Sequence, residues 1–365
     1  MNSRRAFLTL PTALTVVALA ACSAPTAQEP AIPNGSVSEP SQTSTMPDGA
    51  STLTSGLAAP WSIAFLAGTP IVSERDSGRI IEIADDGTQR EIGIVDGVVA
   101  NGEGGLLGIA IDPAGGLYAY STGSSGNRIE RFDVTGTAGS FELGSAETLV
   151  DRIPSAGYHN GGRIAFGPDG MLYATTGDAG LARAAQDPQS LAGKILRMTP
   201  AGEAPDDNPT AGSLVYSSGH RNPQGIAWSD DGTLYAAEFG QDRWDELNIV
   251  EAGGNYGWPS VEGVAGDDAF IDPILQWEPE VASPSGIAYA QGTIYIANLR
   301  GQVLRAVPID DPAAATELHA REYGRIRDVA LAPDGRLWFA TSNTDGRGQP
   351  SDGDDRIISI ELPAG

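Results

Sequence analysis

The chain has 365 residues, with 47 acidic side chains against 22 basic ones, 3 His, 1 Cys and a formal charge of −25. So acidic a chain lacks the basic face that phosphate neutralisation needs, which excludes a nucleic-acid binder; the lone Cys excludes disulfide frameworks and Cys-based zinc sites, and three His leave little for a His-rich metal centre. Gly and Pro make up 72 residues, a sign of many tight turns rather than helices, and 41% hydrophobic residues suffice for a sizeable core.

Residues 1–21 open with Arg4 and Arg5 and continue as an apolar stretch from Ala6 to Ala21, the pattern of an export signal. Ser3-Arg4-Arg5-Ala6-Phe7-Leu8 resembles a twin-arginine export motif, and Leu19-Ala20-Ala21-Cys22 resembles a bacterial lipobox. The resemblance implies a lipidated Cys22 and an exported, extracytoplasmic protein held at the cell membrane. The apolar run is about 16 residues long and contains Pro11, which is short for a spanning helix. Residues 22–50, rich in Pro, Ser, Thr and Gln, bury too little surface to offset their ordering entropy and read as a flexible tether. The remaining residues, 51–365, are expected to form one folded domain.

That domain repeats one pattern six times: a short apolar pair, a turn, then an alternating strand that ends in small residues. Ser62-Ile63-Ala64-Phe65, Gly108-Ile109-Ala110-Ile111, Arg163-Ile164-Ala165-Phe166, Gly225-Ile226-Ala227-Trp228, Gly286-Ile287-Ala288-Tyr289 and Asp328-Val329-Ala330-Leu331 open the copies. Their central residues lie 46, 55, 62, 61 and 42 apart. Asp169-Gly170, Asp231-Gly232 and Asp334-Gly335 sit where hairpin turns require them. Third strands follow, such as Lys194-Ile195-Leu196-Arg197, and a strand such as Ser213-Leu214-Val215-Tyr216 precedes each unit. The pattern predicts an all-β fold, a six-bladed β-propeller of four-stranded antiparallel blades. The last copy has its own strand at Arg356-Ile357-Ile358-Ser359-Ile360, so the ring is expected to close by packing between blades rather than by exchange of a terminal strand.

The loops beside these copies hold the unusual residues. His159, in Gly157-Tyr158-His159-Asn160-Gly161-Gly162-Arg163, has small and polar neighbours, as suits a general base at a channel mouth, and Asp178 closes the same hairpin and can orient it. Either residue is otherwise an ordinary turn former. Arg221, Arg300, Arg325 and Arg327 occupy equivalent loop positions in a chain poor in bases, which points to an anionic ligand with carboxylates or phosphates; the alternative is Arg–Asp pairing between blades. Gly240-Gln241-Asp242-Arg243-Trp244-Asp245-Glu246 and Tyr256 offer oxygens to a hard cation such as Ca²⁺, or form a solvated acidic loop.

Together these loops resemble the soluble pyrroloquinoline quinone (PQQ)-dependent glucose and aldose sugar dehydrogenase family. The matching stretches are Gly102-Glu103-Gly104-Gly105-Leu106-Leu107-Gly108, His159 to Arg163, Gly219-His220-Arg221-Asn222-Pro223-Gln224-Gly225, Asp245-Glu246, Gly253-Gly254-Asn255-Tyr256-Gly257-Trp258-Pro259 and Arg325 to Asp328. The resemblance implies oxidation of an aldose at C1 to the lactone, with His159 as base, Asp178 orienting it, and Arg221 and Asn222 polarising the reactive carbonyl. It also implies that Arg300, Arg325 and Arg327 hold the PQQ carboxylates, that Gly240 and Gln241 give carbonyls to its Ca²⁺, and that Asp245, Glu246 and Tyr256 form a second Ca²⁺ site. Glu103 stands where glucose-specific members carry Gln, and must pair with an Arg or Ca²⁺, be protonated, or weaken PQQ binding. Gln186 is the nearest candidate for the family's next amide ligand. The short segment 265–277 implies a monomer without long substrate-gripping loops and a broad aldose specificity, with electrons passing to an acceptor that the sequence does not name. Two other readings compete: a ligand- or partner-binding propeller that has lost turnover, which Glu103 favours, and a hydrolytic lactonase-type propeller, which needs a carboxylate metal cage in the channel.

Overall fold

The computed structural model describes residues 49–362; the export signal, Cys22 and nearly all of the tether lie outside the described residues. Among the described residues no helix is long and apolar enough to cross a membrane.

The strands, in chain order, are β1 Ser51–Ser55; β2 Pro60–Leu66, β3 Thr69–Glu74, β4 Arg79–Ile83 and β5 Gln89–Ile94; β6 Leu106–Ile111, β7 Leu117–Gly123, β8 Gly126–Thr135 and β9 Glu142–Ile153. Then come β10 Ile164–Phe166, β11 Leu172–Thr176, β12 Lys194–Met198 and β13 Val215–Ser218; β14 Pro223–Trp228, β15 Leu234–Glu238, β16 Asp245–Val250 and β17 Leu275–Trp277. The chain finishes with β18 Pro284–Ala290, β19 Thr293–Asn298, β20 Val303–Pro308 and β21 Thr316–Leu318, then β22 Ile326–Leu331, β23 Leu337–Thr341 and β24 Arg356–Ile360. Each set of four forms one antiparallel blade, six in all, and the first strands of successive blades pack around a closed ring. The only helical turns among the described residues are two short 3₁₀ segments, Ala182–Gln186 and Pro312–Ala314.

Alternation along each strand makes the ring. Tyr118 and Tyr120 of β7 face blade 3, whereas Leu117 and Ala119 of the same strand face blade 1. Six buried apolar clusters result, one at each blade interface, and every blade is buried only by its neighbours.

Two expectations are corrected. The ring closes by strand exchange: β24 is only the third strand of blade 6, and β1 pairs antiparallel with it as the fourth, Ser51 opposite Ser359 and Ser55 opposite Arg356. Left bare, the outer edge of β24 would present unpaired ladder groups, and the N-terminal strand covers them. The strand around Val215 belongs to the blade before it: β13 is the outer strand of blade 3, not a lead-in to blade 4.

Lys194, the only lysine in the chain, is fully buried on β12. Its ammonium donates to the carbonyls of Ala184, Ala185 and Ala192 at 2.8, 2.9 and 2.8 Å, which fastens the 3₁₀ turn and the loop after it to the blade. Burial pushes this amine down to about 8.

Candidate active site

In an antiparallel hairpin the start of the first strand and the end of the second lie side by side. The loops before β6, β10, β14 and β22 therefore meet those after β11, β15, β19 and β23 at one end of the channel. They enclose a cavity of about 300 Å³. Of the residues expected at the site, His159, Glu103, Arg221, Asn222, Arg300, Arg325, Arg327, Gly240, Gln241 and Asp245 line it; Trp61, Gln224, Phe239 and Arg347 line it as well.

His159 is held at four points. Its Nδ1 lies 2.7 Å from Asp178 Oδ1, its amide donates to Glu103 Oε2 at 2.9 Å, its carbonyl accepts the Ala179 amide at 3.1 Å, and the Tyr158 ring meets its ring edge-on at 4.7 Å. Among the described residues Nε2 has no hydrogen-bond partner, and the ring lines the cavity. Gly177 permits the close approach, since a Cβ there would stand 1.9 Å from the His159 carbonyl oxygen. Asp178 is itself pinned, by the Gly180 amide at 2.8 Å and by Trp258 Nε1 at 2.8 Å. Burial opposes its charge, but the His159 contact and these donors hold its carboxyl below the usual range.

The arginines are only partly matched by carboxylates. Arg325 bonds Asp345 at 3.0 Å, Arg327 lies 3.8 Å from the same carboxylate and donates to Gln224 Oε1 at 2.8 Å, and Arg300 pairs with Glu280 at 2.9 Å. Arg221 stacks over Trp258 at 5.4 Å and reaches only the Phe239 carbonyl, at 3.3 Å. The Nε atoms of Arg221 and Arg327 are buried without a partner. Burial pulls both guanidinium groups down, Arg327 to about 9. Trp61 forms a floor under this cluster, with Arg163 4.3 Å and Arg327 5.8 Å from its ring centre.

Glu103 resolves its own conflict through a residue that sequence reasoning missed. Burial pushes its carboxyl up, yet the His159 amide and the Arg347 guanidinium, 2.9 Å away, hold it below the ordinary carboxylate range. Asn222 spends its Oδ1 on the Gly161 amide at 3.0 Å.

Other expected ligands do not converge. Gln186 is absent from the cavity wall; its side-chain amide pairs with that of Asn255 at 2.9 and 2.8 Å and donates to the Trp258 carbonyl at 2.7 Å. Asp245 and Glu246 are successive residues of β16 and point to opposite faces. Asp245 faces the cavity, accepting the Ser283 and Gly240 amides at 2.6 and 2.9 Å, and burial raises its carboxyl to about 6. Glu246 accepts the Gly263 amide at 2.6 Å and Asn248 at 3.1 Å, and burial beside Glu238 raises it. The Tyr256 hydroxyl is committed to the Glu251 amide and the Ile249 carbonyl, at 2.8 and 2.7 Å. These three do not form one metal cage. Among the described residues no group of three His, Cys, Asp or Glu does.

The donors fit a polycarboxylate anion, because two buried guanidinium nitrogens lack acceptors within a cavity that five arginines line. Gly240 and Gln241 line the same wall beside Asp245, an all-oxygen set that suits Ca²⁺.

Known proteins share this architecture. An aldose sugar dehydrogenase from Streptomyces coelicolor, solved with PQQ bound, is 50% identical to this chain, with a TM-score of 0.82 over 85% of this chain and 96% of that one. The aldose sugar dehydrogenase YliI of Escherichia coli is 30% identical over 79% of this chain and 88% of its own length. Quinoprotein glucose dehydrogenase B of Acinetobacter calcoaceticus is 26% identical over 77% of this chain and 82% of its own. The family model for glucose and sorbosone dehydrogenases matches residues 57–349, from the strand pair of the first blade to the Arg347 loop of the last. With both the repeat and the channel loops accounted for, this chain belongs to the glucose/sorbosone dehydrogenase family.

Proposed function

We propose that the chain is a PQQ-dependent dehydrogenase that oxidises aldoses at C1 to the lactone. The observation that carries the reading is a histidine anchored through Nδ1 by a buried carboxylate, with its other ring nitrogen facing a cavity of incompletely paired arginines. Arg300, Arg325 and Arg327 would hold the cofactor's carboxylates, Arg221 and Asn222 would polarise its reactive carbonyl, and the Gly240 and Gln241 carbonyls would hold its Ca²⁺. When bound, PQQ supplies a two-electron acceptor for substrate hydrogen.

His159 Nε2 takes the proton of the C1 hydroxyl, and C1 gives up its hydrogen with both electrons as the C1–O double bond forms. Asp178 fixes the tautomer, since its carboxylate keeps the proton on Nδ1 and leaves Nε2 as the acceptor. Once the imidazolium forms, the same carboxylate stabilises it. Arg221 would set its cation against the cofactor's reactive carbonyl, where charge develops, and its stacking on Trp258 holds it in place. The short segment 265–277 is the feature that supports broad aldose use, and electrons leave for an acceptor that is not identified.

The competing readings have less support. Glu103 favoured a binding propeller because of its charge, and Arg347 takes up that charge. A lactonase needs a carboxylate cage that the described residues do not assemble. An aldose deuterated at C1, offered to protein loaded with PQQ and Ca²⁺, tests the reading. Lactone formation slowed by the deuterium supports it, and the absence of lactone overturns it.

A further inference from the structure

A line of contacts crosses the mouth of the cavity from blade 6 to blade 3. Asp345, which bonds Arg325 through Oδ2, accepts the Arg347 amide through Oδ1 at 2.9 Å. The Arg347 guanidinium reaches Glu103 Oε1 at 2.9 Å, and Glu103 Oε2 accepts the His159 amide, also at 2.9 Å. His159 has a backbone φ of 56°, in the left-handed region that a residue with a Cβ keeps only when its surroundings hold it there. Glu103 is the acceptor that holds its amide.

We propose that Glu103 is a positioning residue, which with Arg347 as its charge partner fixes the backbone of His159 and so aims the ring into the cavity. The inference rests on the reading of His159 as the base, and it accounts for an acidic side chain placed beside the arginines of the cavity. A glutamine offers one carbonyl oxygen to the His159 amide but brings no charge to Arg347. A carboxylate serves both neighbours at once. The bridge also joins the base to the arginines of blade 6 through Asp345, so that the two halves of the site are set by one run of hydrogen bonds.

The test uses the full chain as purified, before PQQ is added. With 3 His in the chain, histidine-selective ¹⁵N labelling resolves the His159 amide, and its hydrogen exchange is followed in the parent and in Glu103→Ala, Glu103→Gln and Arg347→Gln. We expect exchange to be about tenfold or more faster in Glu103→Ala, and about threefold faster in both Arg347→Gln and Glu103→Gln, which lose the charge pair but keep an oxygen for the amide. In loaded enzyme, kcat should fall about tenfold in Glu103→Ala with sugar KM little changed, and recover in part in Glu103→Gln. Exchange in Glu103→Ala within about twofold of the parent overturns the proposal. Should that variant not fold, Arg347→Gln decides, because its side chain is half exposed: unchanged exchange there overturns the proposal equally. Failure of the dehydrogenase reading appears separately, as a parent that oxidises no sugar while its His159 amide remains protected.

Discussion

His159→Ala removes the ring whose Nε2 faces the cavity and leaves the Asp178 carboxylate buried beside Trp258. Steady-state dye-linked sugar oxidation should fall by a factor of about 10² or more, as for loss of a general base, while PQQ still binds; turnover equal to the parent's would reject the assigned role. Asp178 carries a pH signature as well. Its folded-state carboxyl lies below the ordinary 3.8, so its contribution to stability is fully present above that value and is lost as pH falls through the depressed folded one. Thermal melting of the parent and Asp178→Asn should therefore differ at neutral pH and converge in acid; a gap that stays constant down to pH 2 would contradict the ionised pairing. At this scale the sequence showed His159, Asp178 and the arginines, because each sits in a small-residue loop beside a hairpin. It did not show Arg347, whose partner Glu103 is 244 residues away. Gln186 misled for a related reason: an amide in isolation gives no direction, and this one turns to Asn255.

The blades were legible because an apolar pair, an Asp-Gly turn and a strand ending in small residues recur in phase with burial, as in β14 and β15. The closure was not. β1 reads Ser-Thr-Leu-Thr-Ser, sits on the outermost edge and buries only Thr54, so it carries no apolar alternation to mark it as a strand. Deleting residues 51–55 should uncover β24 and lower the melting temperature by several degrees, at about 2–4 °C per kcal/mol for a chain of this size. An unchanged melting curve would mean that β1 adds nothing to the ring. The loop after β11 depends on a different device, the ammonium of Lys194 among three carbonyls. Lys194→Met leaves those carbonyls buried without a donor and should cost about 3 kcal/mol by denaturant unfolding. A loss under about 0.5 kcal/mol would show that the cage is dispensable.

For the whole molecule, six blades that bury one another place eight loops at one end of a channel, and the strongly acidic chain gathers five arginines there. Such a concentration of positive charge against the sign of the whole protein is what the proposed anionic cofactor requires. Titrating PQQ into the metal-free chain, with Ca²⁺ present or absent, and reading aldose-dependent dye reduction at each point tests that proposal most directly. Saturable activity that requires both PQQ and Ca²⁺ and extends over several aldoses is the expected result. No sugar-dependent reduction at any PQQ or Ca²⁺ concentration would contradict it.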